Sequence, residues 1–400
     1  MSIQLDFLIV SSCPEAWGGS EELWAQAAIL LRQANHRVHV AKTNVDYRHP
    51  RIQALVAAGC TMTDLHQLPP LLVRLGNRLL PVRWQPHTQQ RGQQRLKQLL
   101  RSFRPALTVV AQGNNFDGVG FADVCRRGGY PYALVAQKAV HFLFPYDWER
   151  SRIQAVYQAA QMCFFVSRHN LELTQQQIGR ALPKAVVVWN PVNTRLLEAF
   201  NSPELPLPVS WRPIRLACVA RLDLFDKGQD LLLTVLARPK WRSRPIQLTL
   251  YGAGPHQQGI LELVQLLHLE DRVELAGYAA DPVTIWQTHQ ALILPSRSEG
   301  LPLALIEAML CGRPAIATDA GGVAELLVDN VTGFLAAGTT ADAIDQALER
   351  AWERQDEWAQ IGQTAARHVR ATVPADAAAR FSTQLFDLAQ CAITDNSVSV

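Results

Sequence analysis

The chain has no Asp-x-Asp triplet, no Cys-x-x-Cys pair and no apolar run long enough to cross a bilayer. Without the first, no tightly held catalytic metal is implied, and no cofactor is expected. Its cysteines (Cys13, Cys60, Cys125, Cys163, Cys218, Cys311 and Cys391) are odd in number and widely spaced. That excludes a paired metal or redox motif and reads as free thiols in a cytoplasmic chain. Met1–Val10 is a short apolar run broken by Gln4 and Asp6, with no basic flank or small-residue cleavage site, so it reads as a first strand and not a signal peptide. Charge is scarce as well, at 18% of residues and a net +3. From Leu65 to Phe116 there is no Asp or Glu, yet Arg74, Arg78, Arg83, Arg91, Arg95, Lys97, Arg101 and Arg104 are present, a field that attracts phosphate.

With 400 residues, 48% of them hydrophobic, the chain exceeds what one core normally fills, and two ordered domains are expected. Short apolar runs at 5–10, 38–41, 107–111, 132–136, 163–167 and 185–188 alternate with helical lengths, which implies a parallel sheet covered on both faces. Four prolines in residues 201–213 interrupt the pattern, and it restarts at 216–219, 247–251, 273–276, 291–294 and 315–317. The expected division is an α/β domain over 1–195, a linker over 196–213, a second α/β domain over 214–374, and a helix and tail over 375–400 crossing back toward the first domain. Two such Rossmann-like sheets facing across a cleft would bind ligand at the carboxyl ends of their strands.

The densest signal is residues 295–322, PSRSEGLPLALIEAMLCGRPAIATDAGG. A strand ends at Pro295, Pro302 suits the first helical position, and Gly312 with Pro314 ends the helix. Glu299 stands in the loop and Glu307 on the helix, while the amides of Gly300 and Leu301 lie where a helix start stabilises anionic oxygen. A carboxylate such as Glu307 can accept from both hydroxyls of a ribose, and Glu299 can orient sugar hydroxyls; alone, the two would read as solvated helix-start charges. Arg221 and Lys227 follow another strand end and suit a diphosphate clamp, or else a charged surface turn. Gly252 and Gly254 form a tight turn after a third strand, Tyr278 follows a fourth, and Gly18-Gly19 joins the first strand to its helix.

Together these residues resemble glycosyltransferase family four, the retaining group 1 type. The likeness rests on Pro295-Ser296, Glu299-Gly300, Pro302, Glu307-Ala308, Gly312, Pro314, Thr318, Gly321-Gly322 and Glu325, and extends to Gly18-Gly19. It implies two Rossmann-like domains of the glycosyltransferase B type. It also implies metal-independent transfer of a sugar, with retention, from a nucleoside-diphosphate sugar to a glycan, lipid-linked or small-molecule acceptor. The catalytic set carried over is Arg221, Lys227 and Glu299; the donor set is Gly18, Gly19, Gly252, Gly254, Tyr278, Gly300, Leu301 and Glu307. One departure stands out: where relatives often place His near the sugar and acceptor, this chain has Gln137, with His141 four residues later. A catalytically silent nucleotide-sugar binder, or an epimerase or hydrolase on the same fold, stays open. The basic segment 68–104 reads either as a peripheral contact with the cytoplasmic face of a membrane or as a helix packed on its own domain, and nucleic acid is not an expected partner.

Overall fold

The computed structural model describes residues 3–66, 88–193, 196, 212–279 and 281–398. Of the expected linker only residues 196, 212 and 213 are described, and the arginine-rich run up to residue 87 lies outside the described residues.

The chain divides into two compact units, the first formed by Met1–Val166, Asn170–Pro191 and Asp376–Val400. Its sheet runs β3-β2-β1-β4-β5-β6-β7. The strands are β1 Asp6–Ser11, β2 Arg37–Lys42, β3 Thr61–Asp64, β4 Leu107–Gln112, β5 Tyr132–Ala136, β6 Cys163–Phe165 and β7 Ala185–Val187, and every pairing is parallel. Side chains alternate across the pleat, so both faces must be apolar and covered. Phe7, Ile9 and Val109 join Leu23, Ala27 and Leu31 of helix Glu22–Gln33 on one face, whereas Leu8, Val10 and Val110 join Leu96, Leu100, Ala122 and Val156 on the other. Helix Ala377–Val398 adds Phe381, Leu385 and Ala389 to the first of these faces, with Phe381 edge-on to Phe164 at 5.0 Å. Each such buried aromatic is worth ~2–3 kcal/mol.

Beneath the β1 loop of this unit lies a buried ion pair. Lys42, at the end of β2, donates from Nζ to the carbonyls of Cys13 and Glu15 at 2.7 Å each and stands 3.4 Å from Glu21 Oε2. Glu21 accepts from Ser11 Oγ at 2.5 Å. Burial lifts its carboxyl to about 7 against the pull of Lys42, and burial also pushes the Cys13 thiol up to about 12.

The second unit, Ser167–His169 with Val192–Ala375, has the order β10-β9-β8-β11-β12-β13. Its strands, β8 Ile214–Val219, β9 Ile246–Tyr251, β10 Val273–Gly277, β11 Ala291–Leu294, β12 Ala315–Thr318 and β13 Gly333–Ala336, are likewise all parallel. Strand order reverses between the neighbours β8 and β11, and it is at such a reversal that the loops leaving the carboxyl ends of an open α/β sheet form a ligand-binding crevice. Strands β3 and β13 are absent from the sequence reading: Thr61–Asp64 has one large apolar residue, and Gly333–Ala336 is short and follows a turn.

Arg313 is fully buried at the amino ends of β11 and β12, the edge of the sheet opposite the crevice loops. Its Nε donates to the carbonyls of Trp286 and His289 at 3.0 Å each and its Nη1 to Cys311 O at 2.9 Å. These carbonyls cluster at the carboxyl ends of helices Pro282–Thr288 and Leu303–Leu310, where positive charge is favoured. Burial still lowers its guanidinium to about 10.

Two stability predictions follow from these buried charges. Arg313→Met should lower the free energy of unfolding in urea by ~3 kcal/mol, because several buried carbonyls lose their donor; a loss below about 1 kcal/mol would mean that they find other donors. The raised Glu21 carboxyl stabilises the fold fully only below its ordinary value of 4.5 and loses that contribution as pH rises toward 7. The melting-temperature gap between wild type and Glu21→Gln should therefore change in favour of the variant from pH 5 to pH 8, and a gap constant across that interval would remove Glu21 as the titrating group.

Candidate functional site

The crevice loops of the second unit converge because glycines let backbone meet backbone. β8 leads through Ala220 and Arg221 into the short helix Leu224–Lys227, whose cap Asp223 accepts from Phe225 N at 3.2 Å. Gly228 ends that helix at φ +62°, and a Cβ there would fall 2.1 Å from the Pro295 carbonyl oxygen. The loop after β11 is thereby laid against it: the Asp226 carbonyl accepts from the amides of Arg297 and Ser298 at 2.8 and 3.1 Å. Arg297 locks the contact with a two-pronged pairing to Asp230, 2.7 Å at each oxygen.

From the far side, Gly321 lies at φ +59°, where a Cβ would stand 2.0 Å from the Glu299 carbonyl oxygen, and Gly322 N donates to Gly300 O at 2.7 Å. Thr318 Oγ1 holds the Ser296 carbonyl at 2.5 Å. The loop carrying Glu299, Gly300 and Leu301 is thus fixed from both sides, and all three of these residues are buried.

At the centre of this frame Lys227 Nζ donates to Glu299 Oε1 at 2.7 Å, and Ser296 Oγ donates to the same oxygen at 2.7 Å. The side chain of Glu299 is 6% exposed and that of Lys227 19%. Arg221 is more open and bonds Asp223 Oδ2 at 2.8 Å and Asp226 Oδ2 at 3.3 Å. Each cation therefore rests on a carboxylate that an incoming polyanion would have to displace. Half-buried Glu307 is on helix Leu303–Leu310, whose start no side chain caps. Pro302 is the cap of that helix, at φ −69° and ψ 121°, and not its first residue as the sequence suggested; the helix begins one position later because ψ at Pro302 is extended.

Gly252 and Gly254 have a packing reason for being glycine. Gly252, at φ +139°, would put a Cβ 2.1 Å from Ala220 O, and Gly254 one 2.3 Å from Leu222 O. Both hold the Arg221 loop from behind, helped by Leu222 N donating to Ala253 O at 3.1 Å. Tyr278 is 83% exposed.

In the first unit, Gly18 is extended at φ −159° and has only Ser20 Oγ near its missing Cβ, at 3.6 Å, so this unit's own packing does not demand glycine there. Exposed Gly19 starts the single 3-10 turn that ends at Glu21. The Lys42–Glu21 pin below was not foreseen; a lysine closing an otherwise apolar strand was its one signal. Gln137 is buried, and its Oε1 accepts from Asn190 Nδ2 at 2.8 Å. His141 is exposed at the head of the loop that carries Phe142, Phe144 and Tyr146 and leads to Trp148 at the start of helix Asp147–Ala159, so it does not share the buried setting of Gln137.

Residues 211–368 match the family model described as glycosyl transferases group 1. Among curated proteins, the N-acetyl-alpha-D-glucosaminyl L-malate synthase of Bacillus anthracis is 38% identical over 104 residues, 26% of this chain and 27% of that protein. A GDP-mannose-dependent alpha-(1-6)-phosphatidylinositol monomannoside mannosyltransferase of Mycolicibacterium smegmatis is 30% identical over 149 residues, 34% of this chain and 38% of that one. The alignments thus span well under half the length of these relatives. Among solved structures, the sucrose-phosphate synthase of Thermosynechococcus elongatus superposes with a TM-score of 0.73 at 19% identity, covering 97% of this chain and 100% of that one. HepE of Anabaena, solved with UDP-glucose, gives 0.69 at 17% identity, covering 99% and 100%. These likenesses establish the two-unit glycosyltransferase B fold, and the match to the glycosyl transferases group 1 model falls in the unit that carries the Lys227–Glu299 crevice.

Proposed function

We propose that the chain is a retaining glycosyltransferase that moves a sugar from a nucleoside-diphosphate sugar to a hydroxyl of a glycan, lipid-linked or small-molecule acceptor. The observation that carries this reading is the pair of cations Arg221 and Lys227 beside buried Glu299, at the strand reversal of the unit that matches the family. UDP-glucose in the Anabaena structure and GDP-mannose in the name of the mycobacterial relative support the donor class.

On this reading the donor diphosphate takes Lys227 from Glu299 and Arg221 from its two aspartates, an exchange of one anion for another at each cation. Glu307 accepts from the ribose hydroxyls. The bond between the anomeric carbon and the diphosphate oxygen breaks, the acceptor oxygen bonds that carbon on the same face, and the acceptor proton passes to the departing phosphate. Positioned cations stabilise charge that grows on the leaving group, which is where rate is gained. Glu299, still held by Ser296, keeps its negative charge toward the electron-poor anomeric carbon. No protein base is required, in keeping with Gln137, an amide that cannot take a proton near neutral pH. We place the reaction in the cytoplasm. Among the described residues no helix is long and apolar enough to cross a membrane. Gln137 also favours a second reading, a catalytically silent binder of nucleotide sugars.

Calorimetry against UDP-, GDP- and ADP-sugars, followed by mass detection of transfer products across an acceptor panel, separates the readings. Binding without products supports the silent binder, turnover without acceptor supports a hydrolase or epimerase, and no binding of any donor overturns all three. Glu307→Ala should weaken the donor roughly 10- to 100-fold. Lys227→Ala should slow kcat roughly 100- to 1,000-fold; an unchanged donor affinity in the first variant, or an unchanged rate in the second, removes the role assigned.

A further inference from the structure

The first unit holds a basic hollow that the transfer reading does not use. It lies where helix Thr88–Phe103 packs beside helix Val119–Arg127, with helix Asp147–Ala159 contributing Arg152. Lys97, Arg101, Arg127, Arg152, Asp123 and Tyr130 line a cavity of about 490 Å³. Gly128 and Tyr130 precede β5, so this hollow opens toward the amino ends of the strands, away from the carboxyl-end loop that carries Gln137.

Its charge is unbalanced. Asp123 is the one carboxylate in the lining, with a side chain 7% exposed, and it is already shared: Arg126 approaches it at 2.8 Å, Arg127 at 2.9 Å and Arg152 at 3.2 Å. Four lining cations against one carboxylate leave a surplus of three positive charges. Lys97 and Arg101 stand one helical turn apart on a helix without any acidic residue, where like charges repel each other by a few tenths of a kcal/mol. Asp123 therefore does not neutralise the hollow; it orients guanidinium forks around it, the geometry that binds phosphate in two-pronged fashion. The volume falls within the range of small-molecule pockets and exceeds what a bare ion fills.

We propose that this hollow is a second anion site, distinct from the Arg221–Lys227 crevice, that takes a phosphate-bearing ligand with at least two negative charges. The ligand chemistry is the same for a soluble phosphate ester and for the headgroup of an anionic lipid, and two probes separate these sources. The full chain is titrated calorimetrically with inorganic pyrophosphate, and it is co-sedimented with phosphatidylcholine vesicles with and without phosphatidylglycerol. The same measurements are made on Lys97→Ala/Arg101→Ala and on the charge-keeping Lys97→Arg/Arg101→Lys. Both side chains are exposed, so the folds are expected to be kept, and thermal melting checks this.

The alanine pair should weaken binding in the responding arm at least tenfold, and the charge-keeping pair should retain it. Donor affinity, read in parallel, should be unchanged in both. A pyrophosphate response that the alanine pair loses and Lys227→Ala keeps assigns a soluble ligand to the hollow, and a response confined to anionic vesicles assigns a headgroup. Equal binding by wild type and the alanine pair, or no binding in either arm, overturns the proposal.

Discussion

The contact on which the second unit's site depends is the ion pair between Lys227 and Glu299. As a source of stability such a pair is poor, because desolvating both groups costs about as much as their attraction returns. Its consequence is geometric. Lys227 follows β8 and Glu299 follows β11, strands that are 72 positions apart at these residues and adjacent only through the reversal in strand order. The pair forms only if both loops are held within hydrogen-bond reach, and that is the task of the glycines around it. Gly228 brings the first loop onto Pro295, and Gly321 brings the loop after β12 onto Glu299, at positions where any side chain would collide with a carbonyl. The positive φ at each adds a second reason for glycine.

Fixed backbone and exchangeable side-chain partners are thus separated in this crevice. Carbonyls and amides carry the frame, through Asp226 O, Gly300 O and Ser296 O, together with the Arg297–Asp230 brace. The charged groups assigned to the donor are left with carboxylate partners. On the function proposed above, a ligand that brings its own anionic oxygens would replace those carboxylates while the frame stays in place, which would keep reorganisation during reaction small.

Much of this was legible in the sequence, for a physical reason. Residues that follow the carboxyl ends of apolar runs gather at one edge of a parallel sheet, so Lys227 and Glu299 could be expected near each other; position alone left Arg221, Lys227 and Glu299 readable as surface charges, and the family resemblance set them apart. Gly252 and Gly254 were legible as a turn but not as the backing of the Arg221 loop, since that contact joins β8 to β9 and no local spacing encodes it. Lys42 was not legible: a lysine at a strand end ordinarily reaches solvent, and only the fold turns its ammonium inward onto Cys13 and Glu15. Strand β3 escaped notice because an edge strand needs few apolar residues, and Pro302 was displaced by one position because an extended ψ cannot be read from residue type.

The two Lys–Glu pairs, one in each unit, show how the same chemistry is set in different surroundings. In the first unit Lys42 is fully buried and spends its hydrogens on backbone carbonyls; Glu21 Oε2 is left without a hydrogen bond among the described residues, and burial drives that carboxyl up to about 7. Such a lysine cannot leave without taking a hydrogen bond from the carbonyls of Cys13 and Glu15, of which Cys13 keeps Thr43 Oγ1 at 2.8 Å, so it serves as a pin for the chain from Cys13 to Glu21. In the second unit Lys227 is partly exposed and donates directly to its carboxylate, while Ser296 supplies Glu299 with a second donor that persists if the lysine turns away. What each ammonium can do is set by what else it is bonded to: backbone carbonyls of the loop after β1 make Lys42 a fastening, and on the function proposed above a carboxylate with a spare donor leaves Lys227 exchangeable for a ligand anion.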